Sequence, residues 1–93
     1  MDVIRAGTKH PKMLVQEFAQ KHFGVTPEYR TIEATGPDHT KTFRVAICIG
    51  RDILTSASGP SKVEAETEAA KVGYAVLQLK LRSKQAEEAL EDD

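Results

Sequence analysis

The chain has 93 residues, of which 40% are hydrophobic and 29% are charged, so its length and composition predict one small domain with a modest core. It has no apolar run of about eighteen residues and no apolar signal-peptide core, so we expect a soluble, cytoplasmic protein without a membrane partner. A single cysteine excludes an internal disulfide, and no spaced set of cysteines and histidines predicts a zinc site.

Charge is distributed unevenly along the chain, although the net value is only −1. Residues 83–93 carry one lysine and five acidic residues, a net of −4, whereas residues 1–82 carry twelve basic and nine acidic residues, a net of +3. A small positive excess predicts weak, salt-sensitive binding to a polyanion. We interpret residues 83–93 as a solvated acidic tail, frayed helical or disordered, with competition for the basic face as the alternative.

Residues 1–9 show no periodicity and are interpreted as a linker, and the first helix is predicted to begin near Pro11. Proline suits the first helical position, and Gly24 is a natural stop after Phe23. One face of this helix is apolar and is expected to pack on the core: Leu14, Val15, Phe18, Ala19 and His22. The opposite face is polar: Gln16, Glu17 and Gln20.

Three segments with strand character follow, at residues 29–35, 41–49 and 53–57. The middle segment alternates between apolar and other residues from Phe43 to Ile49, which predicts one buried face. The open face of the sheet would carry Arg44 and Cys48. Residues 50–52 are short enough for a tight hairpin, so the strands are predicted to form an antiparallel meander.

The connection between the first two strands contains the run Gly36-Pro37-Asp38-His39. Gly36 can adopt a positive φ and Pro37 fixes its own φ, so the run predicts a stiff loop that projects His39 outward. Taken alone, His39 is more simply interpreted as an ordinary surface histidine.

The second helix has a well-defined start, because Ser61 and Glu64 form a Ser-x-x-Glu capping box that places Lys62 in the first turn. The helical spacing predicts a core face formed by Ala65, Ala69, Val72, Val76 and Leu79. A helix N-terminus attracts anions, and Lys62 adds a full positive charge there. A phosphate-binding helix end and a projecting loop imidazole on a rigid frame suit duplex RNA that is recognised by its shape.

The order helix, three strands, helix resembles the double-stranded RNA-binding domain over residues 10–77. Within that family it is most similar to the C-terminal domain of bacterial ribonuclease III. The resemblance rests on these residues in this order: Lys12 with Gln16-Glu17, Pro27-Glu28-Tyr29-Arg30, Gly36-Pro37-Asp38-His39, Phe43, Ser61-Lys62, Glu64-Ala65-Glu66 and Ala69-Ala70. It implies an α+β fold of the order α-β-β-β-α, with a three-stranded antiparallel sheet and two helices packed on one face. The domain would occupy residues 10–82.

The resemblance also implies three sets of RNA contacts. The polar face of the first helix would meet ribose 2′-hydroxyls and base edges in one minor groove: Gln16, Glu17 and Gln20. Pro37 and His39 would reach a second minor groove. Ser61 and Lys62 would lie over the phosphates of the intervening major groove, with Lys41 as a further phosphate contact. Without the resemblance, the three helix residues would be interpreted as an ordinary solvated face.

The chain departs from the family at the start of the second helix. Many members of the family carry lysines at the positions of Lys62, Val63 and Glu66, and this chain keeps only the first. Ala57 also stands where glycine is common. We therefore expect weakened RNA affinity on an intact fold.

The function implied by the resemblance is binding of double-stranded RNA as the substrate-binding module of a ribonuclease III. In the parent enzyme, a magnesium-dependent endoribonuclease, a covalently joined catalytic domain would precede Met1. The alternative is a protein–protein interaction or dimerisation module of the same fold. The chain alone is not expected to be an enzyme, because its acidic residues form no clustered magnesium motif. No catalytic residue, metal ligand, cofactor or small-molecule substrate is assigned to it.

Overall fold

The computed structural model describes residues 9–91, in a single α-β-β-β-α succession. The elements are α1 (Pro11–Phe23), β1 (Glu28–Thr35), β2 (Thr42–Ile49), β3 (Asp52–Gly59) and α2 (Lys62–Glu91), with a short 3-10 turn (Asp38–Thr40) between β1 and β2. The predicted α+β fold class is therefore confirmed. The interpretation of residues 1–9 as a linker concerns residues that, apart from Lys9, lie outside the described part of the chain.

The sheet is an antiparallel meander in the order β1-β2-β3, with β2 in the centre. Ile49 pairs with Asp52, so the hairpin loop is only Gly50 and Arg51, one residue shorter than the 50–52 turn predicted from the sequence. Gly50 has φ +61°, which a two-residue hairpin turn requires and which glycine adopts without strain. The tight loop fixes the register of β2 and β3.

Both edge strands contain one irregular position. Thr31 pairs with Val45 and Glu33 with Arg44, so Ile32 is the extra residue of a bulge in β1 and is 50% exposed. Leu54 holds the equivalent place in β3. Each bulge interrupts the alternation of side chains between the two faces of its strand, so the period-two pattern of the sequence is clear only in the central strand.

Helix α1 has the bounds predicted from its sequence, and its two ends are closed by local hydrogen bonds. The Lys12 backbone N–H donates to Nδ1 of His10 at 3.1 Å, a cap that the sequence interpretation did not assign. At the other end Gly24 has φ +67° and its N–H donates to the Gln20 carbonyl at 3.2 Å.

The core lies between the sheet and the two helices, which pack on the same face. Its largest fully buried side chains are Val15, Val45, Ile47 and Leu77. Small residues bring α2 close to the sheet, and a Cβ at Gly73 would come 2.8 Å from Ile47 Cδ1. This close approach explains why so short a chain buries a continuous core.

The predicted core face of α2 is wrong at two of its five positions. Ala65 and Ala69 are fully buried as expected, but Val72 is 46% and Leu79 60% exposed. The face that meets the sheet instead consists of small residues and one leucine: Ala65, Ala69, Ala70, Gly73 and Leu77. The sequence interpretation followed the larger side chains, whereas the short distance between helix and sheet selects the smaller ones.

The expectation of one buried face in β2 is only partly correct, because the four residues from Val45 to Cys48 are all buried. Arg44 is exposed as predicted and donates from Nη1 to Ser56 Oγ at 2.9 Å. Cys48 is only 7% exposed, and Ala46, on the same face of β2, is fully buried.

Helix α2 continues through residues 83–91, the segment interpreted as an acidic tail. Lys84 Nζ lies 5.7 Å from the centroid of the Phe23 ring, which ties this part of α2 to the end of α1. None of the helices in the described residues has the length and apolarity needed to cross a membrane.

Candidate nucleic-acid interface

The loop between β1 and β2 has one backbone conformation imposed by its first two residues. Gly36 has φ +101°, and a Cβ there would lie 2.9 Å from the Thr40 carbonyl oxygen. Both the conformation and the available space therefore disfavour any residue other than glycine at this position. Pro37 precedes the 3-10 turn, and the Thr40 N–H donates back to the Pro37 carbonyl at 2.9 Å. His39 lies within this turn and is exposed.

Lys41 lies at the base of the loop. It is half-buried, and its Nζ is 3.8 Å from Oδ1 of Asp38, whose side chain is fully exposed. The loop thus carries an imidazole at its tip and a partly neutralised ammonium at its base. An exposed carboxylate so close to Lys41 reduces the attraction of that lysine for phosphate.

The start of α2 is built on Ser61. Its Oγ accepts a hydrogen bond from the Glu64 N–H at 3.1 Å and donates one to Glu64 Oε2, also at 3.1 Å. The predicted cap is present, with the Glu64 carboxylate on the hydroxyl of Ser61. These two hydrogen bonds hold the helix end in place, and the RNA contact assigned to Ser61 stays a prediction.

Lys62 follows this cap and is exposed, with its Nζ 6.0 Å from the centroid of the Phe43 ring. Strand β3 ends directly against the helix, because a Cβ at Gly59 would lie 2.7 Å from the backbone nitrogen of Ala65. Val63, the neighbour of Lys62, is 68% exposed. The first turn of α2 therefore presents one cation, one apolar side chain and one carboxylate to solvent: Lys62, Val63 and Glu64.

The polar face of α1 is exposed at all three predicted positions: Gln16, Glu17 and Gln20. Lys9 Nζ lies 2.9 Å from Oε1 of Glu17, and Gln20 Nε2 donates to Thr26 Oγ1 at 3.3 Å. The amides offer both donors and acceptors to a ligand. Lys9 partly neutralises the one carboxylate on this face, which eases the approach of a polyanion.

A cluster that the sequence interpretation missed joins α1 to α2. Lys12 Nζ lies 2.5 Å from Oε1 of Glu66 and 4.9 Å from the centroid of the Tyr29 ring. Burial, and secondarily the Glu66 charge, raise the pKa of Tyr29 to about 12. The Tyr29 hydroxyl is buried without a hydrogen-bond partner among the described residues. Lys12 and Glu66 are 54 positions apart, so no local spacing could have revealed this contact.

The sheet register brings two of the predicted contact sets to one end of the domain. Thr35 pairs with Thr42, so the loop begins and ends at this end of the sheet. Phe43 pairs with Gly59, which places the start of α2 there as well. Helix α1, which carries the third set on its exposed face, packs against α2 through Val15 and Ala19.

No group of three or more histidine, cysteine, aspartate or glutamate side chains within residues 9–91 is arranged to hold a metal ion.

The sequence profile of one family, described as "Double-stranded RNA binding motif", matches residues 11–77. The chain belongs to this family. The match begins with α1 and ends at Leu77, the last large core residue of α2, so it covers every element that forms the interface described above.

Similar proteins include several named Ribonuclease 3. The one from Nitratiruptor sp. is 42% identical over 66 residues, which are 71% of this chain and 29% of that protein. The one from Wolinella succinogenes is 41% identical over 78 residues, 84% of this chain and 32% of the relative. The one from Leptospira interrogans is 49% identical over 63 residues, 68% of this chain and 26% of the relative. This double-stranded RNA-binding domain thus spans less than a third of each of these relatives.

Proposed function

We propose that this domain binds double-stranded RNA by its shape and serves as the substrate-holding module of a ribonuclease III. The observation that carries the proposal is the shared location of the His39 loop and the Lys62 helix start at one end of a rigid sheet. A regular duplex presents its grooves at fixed intervals, so a domain that recognises this shape needs its contact residues on a rigid framework.

Each surface has a distinct role in the proposed complex. The amides of Gln16 and Gln20 and the carboxylate of Glu17 bind 2′-hydroxyls and base edges in one minor groove, where only RNA offers the hydroxyl. Pro37 and His39 enter the next minor groove. Lys62 binds phosphates across the intervening major groove, with the dipole of α2 adding to the attraction.

The electrostatic contribution to binding is modest. Lys62 is a fully available phosphate ligand, whereas Lys41 shares its charge with Asp38 and Val63 supplies none. Two to three phosphate contacts correspond to a logarithmic salt slope of about −2 to −3. A measured slope steeper than about −6 would mean that much of the basic surface has been assigned to the wrong residues.

The link to ribonuclease III rests on the names of the relatives. The chain matches less than a third of the length of each of them. In such an enzyme the cleavage chemistry and its magnesium ions belong to a separate catalytic domain, and the present residues hold the duplex. This role places the protein in the cytoplasm with RNA as its partner. The interaction-module alternative has no support from the relatives.

The proposal is tested by fluorescence anisotropy with labelled duplexes of about 16 base pairs or longer, the span of one such domain. RNA and DNA duplexes of the same sequence are titrated at the same salt concentration. We expect clearly tighter binding to RNA, because the α1 contacts require the 2′-hydroxyl. Equal affinity for the two duplexes would remove the minor-groove assignment and leave only general charge attraction. No binding to either would reject the function.

A further inference from the structure

Lys12 occupies the junction between the two helices that the proposed function places on RNA. Counting 100° per residue, Lys12 and Gln16 are 40° apart on α1, so Lys12 belongs to the edge of the polar face. Its ammonium reaches across to Glu66, which lies one turn after Lys62 on the same side of α2. The charge of Lys12 therefore lies between the polar face of α1 and the start of α2.

A minor groove and the neighbouring major groove of any duplex are separated by one phosphodiester backbone. If α1 occupies the minor groove and the start of α2 lies over the major groove, the junction between them faces that backbone. We propose that Lys12 binds a phosphate of this backbone, with Glu66 and Tyr29 as the residues that position its ammonium. The inference rests on the proposed function and adds a residue to its binding surface.

The local geometry fits a ligand better than a purely structural ion pair. The side chains of Lys12 and Glu66 are 40% and 26% exposed, and partly exposed pairs add little to stability. An ammonium has three N–H donors, and one contact to Glu66 leaves two for phosphate oxygens. The Tyr29 ring supports the ammonium from one side, so less side-chain freedom is lost when RNA binds.

The test compares four proteins in salt-dependent anisotropy titrations with duplex RNA: the wild type, Lys12→Met, Glu66→Gln and Lys71→Met. Lys71 is the matched control, because it forms a comparable ion pair with Glu68 at 3.1 Å and is 58% exposed. It lies half a turn around α2 from Lys62. We expect Lys12→Met to weaken binding about three- to tenfold and to make the salt slope shallower by about 0.9. Lys71→Met should leave the slope unchanged.

Glu66→Gln distinguishes a phosphate ligand from a simple connection between helices. This variant keeps the ammonium and removes the carboxylate that partly neutralises it, so the inference predicts binding at least as tight as that of the wild type and a slope that is no shallower. If Lys12→Met and Glu66→Gln instead weaken binding equally with no change in slope, the pair is only structural and the inference is wrong.

Folding is verified for each variant by circular dichroism and thermal melting. If Lys12→Met does not fold, Lys12→Gln takes its place, and Lys12→Arg should retain the wild-type slope because it retains the charge. A wild type that does not bind duplex RNA rejects the proposed function itself. A wild type that binds, with Lys12→Met equal to Lys71→Met, rejects this inference alone.

Discussion

Replacing Val63 with lysine should strengthen RNA binding, because this position adjoins Lys62 in the first turn of α2 and its side chain is 68% exposed. One added phosphate contact is worth about 0.5–1 kcal/mol on the scale of partly exposed charge interactions, or about two- to fivefold in affinity. The salt slope should steepen by about 0.9.

The substitution should leave the fold intact. With about a third of the side chain covered, the apolar burial at risk is roughly 0.5–1 kcal/mol, and the aliphatic part of lysine retains some of it. Lysine also has a higher helix propensity than valine. The Ser61 cap makes its hydrogen bonds with Glu64, so Val63 takes no part in it.

The assay is an anisotropy titration with duplex RNA at several potassium chloride concentrations. Val72→Lys is the matched control, since it adds the same charge to the same helix at a position that is 46% exposed. It lies nine residues along α2 and half a turn around the helix from Val63. The reasoning is refuted if two results occur together. Val63→Lys folds normally yet has the same RNA affinity and salt slope as Val72→Lys, and Lys62→Ala also leaves the affinity and the slope unchanged. The start of α2 would then not lie at the RNA.

Three further outcomes are expected. Lys62→Ala should weaken binding to all duplex RNA sequences about equally, since phosphate contacts carry no base information; a loss confined to some sequences would contradict this role. Gly36→Ala should destabilise the loop by about 1–2 kcal/mol, because φ +101° and the 2.9 Å approach to the Thr40 carbonyl oppose a Cβ. Thermal melting measures this loss of stability, and an RNA titration measures its effect on binding. Tyr29 should lose its proton near pH 12, against about 10 when unfolded, so its contribution to stability is complete below pH 10 and is lost as the pH rises toward 12. An ultraviolet titration of tyrosinate absorbance, compared with Tyr29→Phe, checks that assignment, and an ordinary pKa for Tyr29 would contradict its burial.

Features marked by local residue chemistry were predictable from the sequence. The bounds of α1 follow from Pro11 and Gly24, and the start of α2 follows from the Ser61 cap, because proline, glycine and capping residues act within a few positions. The fold class followed from the order of such segments together with the family resemblance.

Features that depend on packing distance or on contacts between distant residues were not predictable. Val72 and Leu79 are exposed because α2 approaches the sheet through alanines and Gly73, a choice that helical spacing alone does not show. The contact between Lys12 and Glu66 exists only after α1 and α2 have packed together. The RNA contacts assigned to Gln16 and His39 stay predictions until a titration tests them.

The length of α2 separates Lys62 from the carboxylates near the other end of the helix. From Lys62 to Glu87 the helix rises about 37 Å, several times the screening length of about 8 Å at physiological ionic strength. The carboxylates of Glu87 and Glu88 are therefore screened from a duplex bound at the other end, and the overall charge of −1 says little about the field the RNA meets. Below about 0.01 M salt the screening length approaches the helix length, so Glu87 and Glu88 should then weaken the attraction of a duplex to Lys62.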